Sequence, residues 1–302
     1  MALIEATNIV KDYAGHRALD NLNINVEEGT IYGLLGPNGA GKTTFIRILN
    51  QITMPDSGEI LFDGHKLCAQ DIANIGYLPE ERGLYKKMAV GEQAIFLAQL
   101  KGMSKADAKA KLKVWFEKFG IADWWHRKVE ELSKGMQQKV QFITTVLHQP
   151  RLLIFDEPFS GFDPINANLL KNEILELRNN GATVIFSTHN MASVEEICNN
   201  ITLINKSKAV LSGSVWDVKQ QYKENMFSIK FTGDANNLLT DNKIEVLENG
   251  QTRDYQTAVI RSKEITSANE LIRHVLEKVD IVGFEEKLPT MNDIFIKTVT
   301  KQ

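Results

Sequence analysis

Cysteine is nearly missing from this chain. Its 302 residues hold two, Cys68 and Cys198, far apart and in no C-x-x-C pattern. A disulfide framework has nothing to form from, and both thiols are expected to be reduced and structural. Long apolar runs are missing too: no stretch reaches the roughly 18–20 residues of a membrane-spanning helix. The opening Met1-Ala2-Leu3-Ile4-Glu5 has neither a charged leader nor an apolar signal core, so the chain is expected in the cytosol. There is no block of like charges, and the formal net charge is −3. That argues against nucleic acid as a main partner, because phosphate neutralisation needs a basic face. Low-complexity tracts and internal repeats are also absent. What remains is 43% hydrophobic and 24% charged, the balance of an ordinary globular protein. The length suggests roughly two domains and ample chain for a buried core.

The run Gly36-Pro37-Asn38-Gly39-Ala40-Gly41-Lys42-Thr43-Thr44 fits G-x-x-x-x-G-K-[ST]. It follows apolar Ile31 to Leu35 and precedes a helical pattern, Phe45 to Leu49, which is the strand–loop–helix setting this motif requires. Gly36, Gly39 and Gly41 let the backbone curl, so that loop N–H groups from Asn38 to Thr44 point at one anion. The helix behind adds the positive end of its dipole. Lys42 would reach β- and γ-phosphates, and the Thr43 hydroxyl would hold Mg²⁺. Nucleotide binding follows; what it drives does not.

Around this loop the chain reads as alternating elements. Leu3 to Thr7 and Leu22 to Val26 are strand-like, with a turn at Glu28-Gly29. Pro55 to Gly58 signals a turn before a hairpin at Glu59 to Gly64, and Ile75 to Leu78 is a strand stopped by Pro79. From Val90 to His148 apolar residues recur at helical spacing, and Ser104 with Asp107 marks a helix start. Arg151 to Phe155 and Thr183 to Phe186 are buried strands flanking a helix, Asn168 to Arg178, which implies a parallel sheet covered on both faces. Ile201 to Leu211 reads as a hairpin. After Gln220 come strands near Phe227 to Phe231, Lys243 to Leu247 and Tyr255 to Ile260. A helix from Ala268 to Val279, a strand from Ile281 to Glu285 and a short final helix complete a small α+β domain.

Asp156-Glu157 ends the strand at Phe155. A carboxylate emerging at the sheet edge beside a phosphate loop suits Mg²⁺, and Glu157 could polarise an attacking water; an acidic pair ending a strand is otherwise common. Ser133, taken alone, is an N-cap for a helix through Leu147. The serial order of the phosphate loop, Leu132-Ser133-Lys134-Gly135-Met136, Asp156-Glu157, Ser160-Gly161-Phe162-Asp163 and Ser187-Thr188-His189 resembles the ATP-binding cassette (ABC) ATPases.

That resemblance implies an α/β fold: a phosphate-loop NTPase domain of mixed sheet core, antiparallel β subdomain and helical insert, plus a small C-terminal α+β domain. The expected boundaries are 1–218, with the insert at about 86–148, and 225–302. It implies ATP with Mg²⁺, and two nucleotide domains facing each other, as a homodimer or with a similar chain. Ser133 and Gly135 would bind the γ-phosphate held by the opposite subunit. Asp163 would link the two sites, His189 would hydrogen-bond the γ-phosphate, and Tyr13 would stack on adenine. Lys134 replaces the usual glycine and Met136 the usual glutamine. Glu80 stands where the family has a glutamine that contacts metal or water; its added negative charge would either weaken ATP affinity or be offset by Arg82 or Lys134.

The segment from about Phe227, closing with Leu288 to Phe295, resembles the accessory domain of ABC-2 type exporter ATPases. The expected partner is therefore a separate integral-membrane permease, docked near Leu84, Tyr85 and Met88, with the chain peripheral on the inner face of the membrane. Trp124-Trp125 reads as core or as lining of that contact. Two other readings stay open: a non-transport ABC ATPase of DNA repair or translation, and a slowly hydrolysing regulatory module.

Overall fold

A computed structural model describes residues 1–81 and 83–300; Arg82 lies outside the described residues. The chain divides into two compact units, Met1–Val215 and Trp216–Gln302.

The first unit opens with β1 (Ala2–Tyr13), β2 (His16–Glu27) and β3 (Ile31–Leu35), then α1 (Lys42–Leu49), β4 (Ser57–Phe62), β5 (His65–Lys66) and β6 (Ile75–Leu78). Three helices follow: α2 (Val90–Leu100), α3 (Lys105–Lys118) and α4 (Lys134–Val146). The unit continues with β7 (Leu152–Asp156), α5 (Pro164–Asn179), β8 (Thr183–Thr188), α6 (Met191–Ile197), β9 (Asn200–Asn205) and β10 (Lys208–Ser214). The expected α/β class holds. An antiparallel sheet runs β2-β1-β4-β5, and a six-stranded sheet runs β10-β9-β3-β8-β7-β6. Every pairing in the second sheet is parallel except β10 on β9. Every residue of β3, β7 and β8 is buried, so both faces of that sheet are covered.

This order places the C-terminal ends of β3 and β7 on either side of β8, at one edge of the sheet. The phosphate loop leaves the first of these ends and Asp156-Glu157 the second. Two parallel strands with a neighbour between them thus bring residues more than a hundred positions apart to one place.

Several strands differ in extent from the sequence reading. β1 and β2 are twelve residues each, because bulges near Asn8 and Asn21, both at positive φ, reset the alternation without ending the pairing. Ser57 and Gly58 open β4 rather than close a turn. α5 starts at Pro164 instead of Asn168; Asp163 caps it, and proline suits the first helical position. Ser104 accepts from the Asp107 amide as the start of α3, as expected. Trp125 packs against Gly91, where a Cβ would lie 2.5 Å from the indole, and edge-on to Phe116 at 5.4 Å. That ring is a packing element of the helical region.

The second unit begins in α7 (Val215–Gln221) and holds β11 (Met226–Thr232), α8 (Asn236–Leu239), β12 (Ile244–Gln251), β13 (Gln256–Ser262), α9 (Ala268–Leu276), β14 (Asp280–Lys287) and α10 (Met291–Thr300). Its antiparallel sheet runs β12-β13-β11-β14. Phe227, Ile229 and Phe231 from β11 meet Leu271 and Val275 from α9 in a separate core. α9 ends earlier than the sequence suggested, and the four-residue α8 gave no periodic signal. Among the described residues no helix is long and apolar enough to cross a membrane.

Candidate functional site

β3 delivers the chain to Gly36 at φ 149°, and Gly41 stands at φ 118° just before α1. A Cβ on Gly36 would lie 2.2 Å from the Ile204 carbonyl oxygen, and one on Gly41 2.5 Å from that of Ala18. Only glycine fits either place, which fixes the loop's path against β9–β10 and β2. Gly41 gives α1 no side-chain cap, and the first turn carries no acidic residue. Its N–H groups are left for an anion.

Lys42 is buried at the head of α1 and donates to the carbonyls of Gly36 (2.6 Å) and Pro37 (3.2 Å). Burial pulls its pKa down, while Glu157, Asp156 and Glu80 pull it back up without reversing the shift. Asp156 is 3% exposed. Burial pushes its carboxyl up, and the neighbouring Glu157 and Glu80 charges push the same way. The Thr43 hydroxyl donates to Asp156 Oδ2 at 3.4 Å. A buried ammonium held by carbonyls and an uncapped helix start fit a phosphate. Clustered carboxylates beside a threonine hydroxyl are the oxygen donors that Mg²⁺ takes.

Glu157 follows at φ 49°, a left-handed conformation costing on the order of 1–3 kcal/mol for a non-glycine residue. It is pinned by its amide, which donates to the Ser187 carbonyl at 2.9 Å. Its carboxylate accepts from the Thr188 hydroxyl (3.1 Å) and the His189 amide (2.9 Å), and lies 2.6 Å from His189 Nδ1. The end of β8 therefore aims the side chain that follows β7.

Tyr13, at the tip of β1, is 41% exposed. It lines one cavity of about 370 Å³ together with the loop from Asn38 to Thr44, Glu80, Asp156 and Glu157. Two larger cavities, about 560 and 580 Å³, contain none of these residues, so chemistry rather than size singles this one out.

The start of α4 is built differently. Ser133 is exposed, and its Oγ accepts from the Met136 amide at 3.3 Å. A Cβ on Gly135 would stand 3.8 Å from the Phe162 ring. The Gln138 side chain donates to the Pro158 carbonyl at 2.9 Å, tying this helix to the residue after Glu157. Asp163 accepts from the Ile165 and Asn166 amides, both at 3.0 Å, as the cap of α5.

Comparison with known proteins decides the family. The ABC transporter family model matches residues 19–160, and the C-terminal domain model of DrrA1-3-like ATP-binding proteins matches 213–299. An uncharacterised ABC transporter ATP-binding protein of Bacillus subtilis (strain 168), YhaQ, is 40% identical over 98% of both chains. The chain belongs to the ABC transporter ATP-binding proteins. The linearmycin resistance ATP-binding protein LnrL of the same organism is 29% identical, covering 95% of this chain and 88% of that one. A solved ATP-binding subunit of an ABC transporter superposes with a TM-score of 0.69 at 28% identity, covering 73% of this chain and 93% of that one.

This ABC subunit is thus an ATP-binding ATPase with the phosphate-loop fold of its family. Of the residues singled out in sequence, Tyr13, Asn38, Gly39, Gly41, Lys42, Thr43, Thr44, Glu80, Asp156 and Glu157 gather at the cavity. Gly36 stands behind Lys42, and His189 behind Glu157. Ser133, Gly135 and Asp163 are not among the residues lining it. Sequence reasoning missed His16 and Ala18, which also line the cavity, and the contacts that Thr188 makes with Glu157 and Gln138 with Pro158. His16 and Ala18, at the start of β2, carry no spacing signal, and strand register brings Thr188 to Glu157.

Proposed function

We propose that two copies of this ATPase clamp ATP between them and that the clamp powers an exporter. The carrying observation is the separation just described: Lys42, Thr43, Asp156 and Glu157 share one cavity, while Ser133 and Gly135 stand apart from it. In this reading Lys42 and the loop amides from Asn38 to Thr44 hold the β- and γ-phosphates, and Tyr13 offers adenine its ring. Thr43, Asp156 and Glu80 supply oxygens for Mg²⁺, which when bound would neutralise charge on the phosphate oxygens. Glu157 accepts the proton of the attacking water, held in place by Thr188 and His189. His189 also donates to the γ-phosphate. Ser133 and Gly135 close over the γ-phosphate of the second copy, and Asp163 joins the two sites.

Residues 1–218 form the nucleotide domain in this account and 225–302 the accessory domain. A groove of about 310 Å³ beside β6 and α2, walled by Tyr77, Leu84, Leu97 and Leu100, is the seat of a separate membrane permease. Docked there, the subunit sits on the inner face of the membrane. The name of the linearmycin resistance relative supports export as the direction.

Two measurements test the reading. Specific ATPase activity is expected to fall on dilution; activity constant down to the monomer would overturn the two-copy site. A multi-span membrane protein is expected to co-purify with the chain, and substitution of Leu97 or Leu100 by aspartate is expected to release it while ATP binding persists.

A further inference from the structure

The loop after β5 brings three unlike donors together. His65, Cys68 and Asp71 each present a ligand atom, and the three atoms lie within 4.8 Å of one another. The local fold fixes two of them. Asp71, in the 3₁₀ turn Ala69–Asn74, accepts from the Cys68 amide through Oδ2 at 2.9 Å and faces His65 Nε2 through Oδ1 at 3.0 Å. The His65 ring is set edge-on to Phe62, with centroids 6.2 Å apart.

The charge balance of this corner is unusual. Asp71 is only 6% exposed, and among the described residues its ion-pair partner is a half-exposed histidine rather than a lysine or arginine. The nearby Arg151 guanidinium is taken by Asp63 and Glu28. Among the described residues, a buried carboxylate, an imidazole and a thiol therefore share a space with no lysine or arginine paired to them.

We propose that His65, Cys68 and Asp71 form a binding site for a borderline divalent transition metal of the zinc type, with a fourth position open to water. Sulfur, nitrogen and oxygen donors in one set suit such an ion, whereas Mg²⁺ and Ca²⁺ prefer all-oxygen shells. With bonds of about 2.0–2.3 Å, tetrahedral ligands lie roughly 3.3–3.7 Å apart. The histidine and carboxylate are already near that spacing, and rotation of the half-buried Cys68 side chain closes the remainder. Binding would release the thiol proton and staple the β4–β5 hairpin to the following turn. This site is distinct from the cavity that holds Lys42 and Asp156, and its residues come from none of the ABC motifs.

Cobalt(II) tests the proposal on the full, reduced chain without nucleotide. A thiolate ligand gives a sulfur-to-cobalt charge-transfer band in the near ultraviolet, which oxygen ligation at Thr43 and Asp156 cannot give. The expected result is one equivalent of Co²⁺ producing this band, displaced by Zn²⁺. Cys68→Ser is expected to remove the band while ATP binding persists, and Cys198→Ala to keep it. His65→Gln, at an exposed position that leaves the fold intact, is expected to weaken affinity by about tenfold or more. No band at saturating Co²⁺, or an unchanged band in Cys68→Ser, would overturn the site and leave the cluster as a helix-capping arrangement.

Discussion

The starts of α1 and α4 are both helix N-termini, and they are finished in opposite ways. α1 has a glycine cap with no side chain, a buried Lys42 and no acidic residue in its first turn. An uncapped first turn free of acidic residues, beside a buried ammonium, suits an anion. α4 has Ser133, whose oxygen already accepts the Met136 amide. A hydroxyl that accepts still has its proton to donate, so Ser133 can cap its own helix and meet a phosphate together. Asp163 at the start of α5 offers the contrast: a carboxylate that only accepts, already engaged by two amides and the Asn166 side chain. One start open to an anion and one start with a spare proton, only the first of them at the cavity, are what the proposed two-copy site needs.

The largest effect is expected where the first half does chemistry. Glu157→Gln should lower turnover by about 10²–10⁴-fold while nucleotide binding survives, measured by phosphate release beside equilibrium binding. Retained turnover would remove Glu157 from the water-activating role.

Ser133→Asp sharpens the comparison itself. Aspartate caps a helix as well as serine does, so thermal stability should hold within about 0.5 kcal/mol. It has no proton to give and repels phosphate, so turnover should fall on the order of tenfold or more, as for a lost charge-complementary contact. Normal turnover would confine Ser133 to capping. Glu80→Gln should matter less than Glu157→Gln, because Glu80 is exposed where it lines the cavity and glutamine keeps the oxygen proposed for it. A complete loss of turnover would make Glu80 the primary group.

A last effect, on stability and not on turnover, concerns the far end of α4. His148, just past that helix, has its pKa pushed down to about 4 by burial, with Lys101 and Lys111 adding repulsion. The unfolded chain takes up this proton near the ordinary value, and the folded chain resists. Stability is therefore full above about pH 6.5 and declines as pH falls towards 4, by about 2 kcal/mol after allowing for partial solvent screening. Urea midpoints at pH 8 and pH 5 should show the loss, and His148→Gln should reduce it. An equal loss in both proteins would assign it elsewhere.

The phosphate loop was legible because a short run with two sterically required glycines states its own geometry. The core strands were legible because β3, β7 and the middle of β8, Val184 to Phe186, are runs of mostly apolar residues. β1 and β2 were half-read, since bulges shift the alternation by one and a period-2 pattern cannot see across them. The hold of Thr188 and His189 on Glu157 was hidden for a different reason. It depends on the register between β7 and β8, which pairs Asp156 with Ser187, and no local pattern encodes that pairing. The cap of α5 was legible in Asp163-Pro164 and passed over, because Asp163 was assigned to the link between copies alone.

In the proposed dimer the two halves of each site come from different chains. Mixing Lys42→Ala chains with Ser133→Asp chains tests it most directly. Each variant alone lacks one half of every site, but a mixed pair holds one site with an intact loop and an intact Ser133. The mixture is expected to show ATPase activity well above the average of the two variants measured separately. Activity no greater than the average of the two separate variants would contradict it.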